Sequence, residues 1–230
     1  MKAINLFLVG VSIFLLAVTA GPVKSDELDD LYGDASIRYR PLESTLFEDH
    51  ETWPPDEVSD GDIEILRNVI CTMKTTKGII RIRLFPDEAP IHSANFAKLI
   101  QDGYYDGLTF HRVIKEFMSQ GGDPSGTGAG GPDYTLPAEI ELPHLEGSVA
   151  AARTGDAINP ERRSSGSQFY MVHTDTSGMH LDGSYTVFGQ IIEGFDVNRA
   201  LNCTYYGYER MPKARPDRVV HARLETAEIR

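Results

Sequence analysis

From Val69 onward the apolar residues of this chain arrive in short runs, each stopped by Gly, Pro, Asn or Asp, a punctuation that leaves little room for long helices. In one of them Phe110, Arg112 and Ile114 fall on one side of a period-two alternation and His111 and Val113 on the other, the spacing of a strand. Gly121, Gly122 and Asp123 stop the chain that follows. Two stretches carry helical spacing instead. The first begins at Pro90, buries Phe96, Leu99 and Ile100, and ends before Gly103; the second runs from about Gly194 to Leu201. Many short strands with two helices and no internal repeat imply a mainly β closed barrel or sandwich.

The segment after Arg112 has a chemical consequence. A turn that brings Phe117, Met118 and Gln120 back beside a strand carrying Arg112 makes an apolar trough with a fixed guanidinium at its edge. Such a trough suits a proline ring and the peptide oxygens beside it. The bland alternatives are Phe117, Met118 and Leu181 as ordinary core and Arg112 as a salt-bridged surface residue. His111, facing away from Arg112, is read as structural.

The run from Phe110 to Asp123 resembles the signature of the cyclophilins, the cyclosporin-binding class of peptidyl-prolyl cis-trans isomerases. The likeness extends from about Val69 to the C-terminus. Thr76-Lys77-Gly78 with the apolar run Ile79 to Phe85 is similar to the family's opening strands, and Ala89-Pro90 through Leu99 to its first helix. Gly166-Ser167-Gln168-Phe169-Tyr170, Leu181-Asp182-Gly183 and Val187-Phe188-Gly189 follow in the family's order. The resemblance implies a closed eight-stranded antiparallel β-barrel capped by two α-helices, with a packed interior and a ligand groove on its outer wall. It implies isomerisation of Xaa-Pro bonds in polypeptide substrates without cofactor or metal. It also assigns roles: Arg112, Phe117 and Gln120 catalytic, and Met118, Ala152, Arg153, Gln168, Tyr170, His180, Leu181 and Tyr185 substrate-binding. A proline-peptide-binding module or chaperone using the same groove without catalysis is the alternative.

Departures from the family pattern sharpen these expectations. His180 stands where many members carry a tryptophan that contacts cyclosporin, and Tyr185 where many carry histidine, so the drug is expected to lose contacts here. Asp156 to Ser165 lengthens a link beside the groove; its Arg162 and Arg163 either select acidic substrates or stay solvated, the second being the simpler reading. The Gly126 to Gly131 stretch lacks the Lys-Ser/Thr ending of a phosphate loop and reads as a flexible loop beside the groove, and the seven histidines show no metal-ligand spacing.

The N-terminal third is different in kind. Met1-Lys2, an apolar run from Leu6 to Val18 and Thr19-Ala20-Gly21 have the layout of a signal peptide, 1–20, rather than of a retained anchor, which predicts an exported, periplasmic or secreted protein not held in a membrane. Residues 21–67 carry 14 Asp and Glu against four Lys and Arg, hence most of the net charge of -12. This is an acidic, mostly extended arm preceding the domain, 68–230. It is either a solvated linker or a strap anchored by Tyr32, Ile37, Tyr39, Leu46, Phe47 and Trp53. An acidic total without a basic stripe argues against nucleic acid as a partner. Cys71 and Cys203 permit one disulfide in an oxidising compartment, and Asn202-Cys203-Thr204 fits a glycosylation acceptor.

Overall fold

The protein was analysed as a computed structural model, which describes residues 37–42, 46–47, 53–206, 209–211 and 213–229. Residues 1–20, expected to form a signal peptide, and Tyr32 lie outside the described residues.

Nine strands form one sheet: β1 (Ile37–Pro41), β2 (Val69–Thr75), β3 (Ile79–Leu84), β4 (Arg112–Ile114), β5 (Met118–Gly121), β7 (Ser148–Ala151), β9 (Phe169–Val172), β10 (Val187–Glu193) and β13 (Val219–Ile229). Their order is β1-β13-β2-β3-β10-β7-β9-β5-β4, antiparallel throughout. Two small sheets pair β6 (Thr135–Leu136) with β8 (Ser164–Ser165) and β11 (Tyr205–Tyr206) with β12 (Glu209–Arg210). The ladders of this sheet do not by themselves close it into the expected eight-stranded barrel. Among the described residues no ladder joins β4 to β1 or β13. The isolated Thr109↔Arg218 bridge lies between their ends instead, with Phe110 N–H donating to Asp217 O at 2.9 Å and Val219 N–H to Leu108 O at 2.9 Å. The chain there is irregular, turning at Gly107 with φ 80°, and so offers a bridge rather than a strand.

Alternation along the strands sorts the side chains onto two faces. Val113, Val149, Phe169 and Met171 enter the main core with Ile80, Ile82 and Phe188. Phe110 joins them, packing edge-on to Phe169, and not the Arg112 side as the alternation predicts. The strand begins at Arg112, so the period of two does not extend back to Phe110. Met118, Ala150, Tyr170, Val172 and Val187 form a second cluster on the opposite face. This outer face carries the candidate site.

Both predicted helices are present, as α2 (Pro90–Gln101) and α4 (Phe195–Ala200). Ala89 gives α2 no side-chain cap; the Glu139 carboxylate accepts from Ile91 N–H and His92 N–H at 3.0 Å each and places negative charge at the positive helix end. Within the acidic arm, α1 (Asp60–Leu66) is helical rather than extended, because Ser59 Oγ accepts from Asp62 N–H at 3.1 Å and two aspartates fill the first turn. A short α3 (Asp175–Gly178) runs into a 3₁₀ turn at Met179–Leu181. The arm follows the strap reading: β1 pairs with β13, Arg81 lies over the Tyr39 ring at 3.9 Å, and Leu46, Phe47, Val58 and Leu66 are buried in the main core. Cys71 and Cys203 are free thiols, so the disulfide does not form; Cys71 is sealed in the core. No helix among the described residues is long and apolar enough to cross a membrane.

Burial also gives the fold a pH dependence. His111, His144 and His173 are all buried, which favours their neutral forms; His173, with Arg199 adding repulsion, is pushed down to about 4. The unfolded chain therefore binds more protons than the folded one between the ordinary histidine value near 6.5 and about 4, so stability is full above that window and falls as pH drops through it. His173 alone is expected to remove ~3 kcal/mol. Urea midpoints at pH 7 and pH 4.5 check this, and a His173→Gln variant should lessen the difference.

Candidate functional site

Register builds the site. Arg112 pairs with Gln120 across β4 and β5, Gln120 with Tyr170 across β5 and β9, and Tyr170 with Ala150 across β9 and β7. Directly opposed residues share a face, so this row lies on the outer wall, with Met118 two residues from Gln120 on the same side. The turn after Ile114 is tight: Phe117 N–H donates to Ile114 O at 3.1 Å and Glu116 takes φ 60°. It brings Phe117 to the end of the row. His180 lies over Phe117 with ring centroids 5.3 Å apart.

These residues line an open groove of about 240 Å³ formed by Arg112, Phe117, Met118, Gln120, Ala152, Arg153, Tyr170, His180, Leu181 and Tyr185. Ten of the eleven residues expected from sequence thus meet in one place. Gln168 does not line it; it lines a larger neighbouring cavity, about 690 Å³, together with Gln120, Ala152 and Arg153, which both spaces share. Tyr134, Asn159, Arg163 and Ser165 complete parts of that second wall.

A chain of amides orients the guanidinium. Gln168 Nε2 donates to Gly128 O at 3.0 Å and Gly130 O at 2.8 Å, which leaves its Oε1 to accept from Gln120 Nε2 at 3.0 Å. Gln120 Oε1 then accepts from Arg112 Nη1 at 3.3 Å. Flipping either amide would set donor against donor, so the polarity is fixed from the glycine loop outward. That loop is itself tied down and not flexible in the manner expected. The Asp123 carboxylate is buried; it accepts from the Ser125 hydroxyl and from the backbone N–H groups of Ser125 and Gly128, and these bonds outweigh burial to hold it well below the usual carboxylate range.

Arg153 is a wall between the two spaces. Its side chain is 4% exposed, with Nε donating to Ser184 O at 2.7 Å, Nη1 paired with Asp156 at 2.6 Å and the guanidinium over the Tyr185 ring at 4.6 Å. Arg162 donates to Gly183 O at 2.8 Å and Arg163 to Thr135 O at 2.7 Å. Neither arginine of the inserted loop is simply solvated; both fasten the loop to neighbouring backbone.

Sequence reasoning missed His144. Its Nδ1 lies 2.8 Å from Asp182 Oδ1 and its Nε2 2.8 Å from the Tyr170 hydroxyl, with the two rings stacked at 3°. Asp182 lies inside a noticed block, but nothing local in sequence marks His144 as the partner behind Tyr170. Burial, then the neighbouring Tyr185, raises the Tyr170 phenol, which stays a donor. Among the described residues no group of three or more His, Cys, Asp or Glu is arranged to hold a metal ion.

Comparison with known proteins agrees with this geometry. A family profile described as "Cyclophilin type peptidyl-prolyl cis-trans isomerase/CLD" matches residues 70–224. A "Peptidyl-prolyl cis-trans isomerase" of Synechococcus elongatus is 53% identical over 119 residues, covering 51% of this chain and 77% of that one. "Peptidyl-prolyl cis-trans isomerase B" of Bacillus subtilis is 47% identical over 126 residues, 54% of this chain and 82% of its own. The crystal structure of a Cryptosporidium parvum cyclophilin type isomerase in the presence of the dipeptide Ala-Pro superposes with a TM-score of 0.57 at 28% identity, covering 67% of this chain and 97% of that one. With the family profile spanning β2 to the middle of β13 and the groove assembled on the outer wall, the chain belongs to the cyclophilin-type peptidyl-prolyl cis-trans isomerases.

Proposed function

We propose that the groove bounded by Arg112, Phe117 and Gln120 catalyses cis/trans exchange of Xaa-Pro bonds in exported polypeptides and so assists their folding. The observation that carries this reading is the guanidinium of Arg112, oriented by Gln120 in a groove of about 240 Å³ that Phe117, Met118 and Leu181 also line. Rotation about the bond before proline meets a barrier near ~20 kcal/mol because the nitrogen lone pair is delocalised into the carbonyl. In the twisted state that lone pair is released and accepts a hydrogen bond. Phe117, Met118, Tyr170 and Leu181 wall the proline ring, Arg112 donates to the nitrogen and the adjacent oxygen as the bond turns, and no covalent bond is made or broken. A donor that binds the twisted form better than either planar form accelerates both directions.

The groove and the larger cavity share Gln120, Ala152 and Arg153, so a peptide with its proline in the first continues into the second. With His180 in place of a tryptophan that contacts cyclosporin and Tyr185 in place of histidine, the sequence argues against tight binding of the drug. The charged start, apolar run and small residues of Met1 to Gly21 support export. Expressed in a secreting host, the mature chain should begin at Gly21 by intact mass, and a mature chain retaining Met1 rejects export by cleavage. Isomerisation itself is tested by proline-exchange kinetics of a short Ala-Pro peptide with the full chain; exchange at the uncatalysed rate rejects it.

A further inference from the structure

Asn95, Lys98 and Gln101 recur every three residues along α2 and present one face to the acidic arm. Gln101 Oε1 accepts from Leu46 N–H at 2.8 Å and its Nε2 donates to Leu46 O at 3.2 Å. Lys98 Nζ lies 5.9 Å from the centre of the Trp53 ring, and that ring packs on Phe47 at 5.2 Å. Asn95 is 3% exposed, and its Oδ1 accepts from Trp53 Nε1–H at 3.1 Å.

The same carboxamide reaches the substrate side. Asn95 Oδ1 also accepts from the Tyr134 hydroxyl at 2.8 Å, and Nδ2 donates to Gly166 O at 2.7 Å. Tyr134 lines the larger cavity, and Gly166 directly follows Ser165, which lines it too. There is no slack at this junction. A Cβ on Gly166 would lie 2.6 Å from Tyr134 Cε2 and 2.7 Å from Pro132 Cγ, so the tyrosine ring rests directly on the glycine. Both lone pairs of the buried Asn95 oxygen are taken, one by the arm and one by the cavity wall. Loss of the indole donor leaves that oxygen to a single partner and frees it to move.

We propose that the arm is a working part of the peptide-binding surface: Trp53, acting through Asn95, positions Tyr134 and the Gly166 peptide where the larger cavity receives the chain flanking a substrate's proline. Trp53 lies outside the stretch, residues 70–224, that matches the family profile. The inference rests on the isomerase reading, because it needs a proline in the adjoining groove.

The chain has one tryptophan, so a single indole N–H resonance reports on the junction. Titration of the full chain with an eight-residue peptide bearing a central proline should shift that resonance, saturating at the concentration at which the peptide competes in the exchange assay. The dipeptide Ala-Pro should leave it in place. An unmoved resonance with the octapeptide fully bound overturns the proposal. Trp53→Phe keeps a ring against Phe47 but removes the N–H, and should lower kcat/KM at least threefold more for the octapeptide than for a proline tetrapeptide, the difference lying in KM. Tyr134→Phe should give the same length-dependent loss. Equal losses for both substrates overturn the proposal, whereas failure of the unmodified chain to turn over the tetrapeptide rejects isomerisation instead. Should Trp53→Phe not fold, the titration decides alone.

Discussion

Replacing Arg112 with alanine lowers kcat/KM for Xaa-Pro exchange by about 100-fold while the sheet around it stays intact. The magnitude follows from the kind of bond lost. A hydrogen bond from a charged donor contributes ~1.5–3 kcal/mol, and at the upper end, in a half-buried groove shielded by Phe117 and Tyr170, that corresponds to roughly two factors of ten in rate. The fold has no need of the guanidinium. Arg112 is held in β4 by backbone pairing with Gln120, and its Nη1 donates to Gln120 Oε1 on the outer face. Arg112→Lys is the sharper variant. It keeps the charge but not the planar fork that can address the nitrogen and the neighbouring oxygen together while resting on Gln120, and it is expected to recover less than a tenth of the lost rate. Exchange kinetics on both variants, with circular dichroism as a control for folding, decide the matter. Equal rates for wild type and Arg112→Ala would remove this arginine from the chemistry and favour a groove that binds without catalysing.

The part of the site on β4, β5 and β9 was legible because the spacing is local. Once a tight turn follows Ile114, antiparallel register sets Gln120 opposite Arg112, and a third strand carrying Tyr170 completes the row. Features that depend on packing between distant segments were not legible. Phe110 was assigned to the wrong face because the alternation breaks one residue before the strand, at a turn whose geometry is set by the contact with Asp217 and Val219. Gln168 reads as a residue flanking the peptide, but its sequence neighbours do not show which space it lines: its amide is drawn to the distant carbonyls of Gly128 and Gly130, and the side chain lines the next cavity. Arg162 and Arg163 read as solvated because backbone carbonyls, which leave no trace in sequence, are what bind them. The α1 helix is the opposite case: Ser59 followed by Asp62 is a local capping signal, obscured by the acidic and proline-rich composition around it.

Gly122→Ala should couple stability to activity in one substitution. Gly122 has φ 85°, and a Cβ there would press into the Ser167 carbonyl oxygen and lie 3.0 Å from Gln168 Cα, both backbone atoms that cannot swing aside. The left-handed conformation costs an alanine ~1–2 kcal/mol, and the overlap adds ~1–3 kcal/mol. Together these imply a loss of about 2–5 kcal/mol, or roughly 10 °C in melting temperature for a chain of this size. Gly103→Ala supplies the control. Its φ is 71° but its Cβ would meet nothing within 4 Å, so only the conformational cost applies. The two variants therefore differ in space and not in backbone region. Relief of the clash at residue 122 must move the end of β5 away from residues 167–168, where Ser167 Oγ donates to Gly122 O at 2.7 Å. Gln120 sits two residues from that point and would draw away from Gln168 Oε1, now 3.0 Å distant, releasing the amide chain that orients Arg112. Exchange rates measured at 10 °C, where Gly122→Ala remains folded, should thus fall at least tenfold, while Gly103→Ala retains nearly all its activity. If urea unfolding finds the two variants equally stable, the close approach of β5 to the 167–168 backbone is not what holds this part of the groove in place.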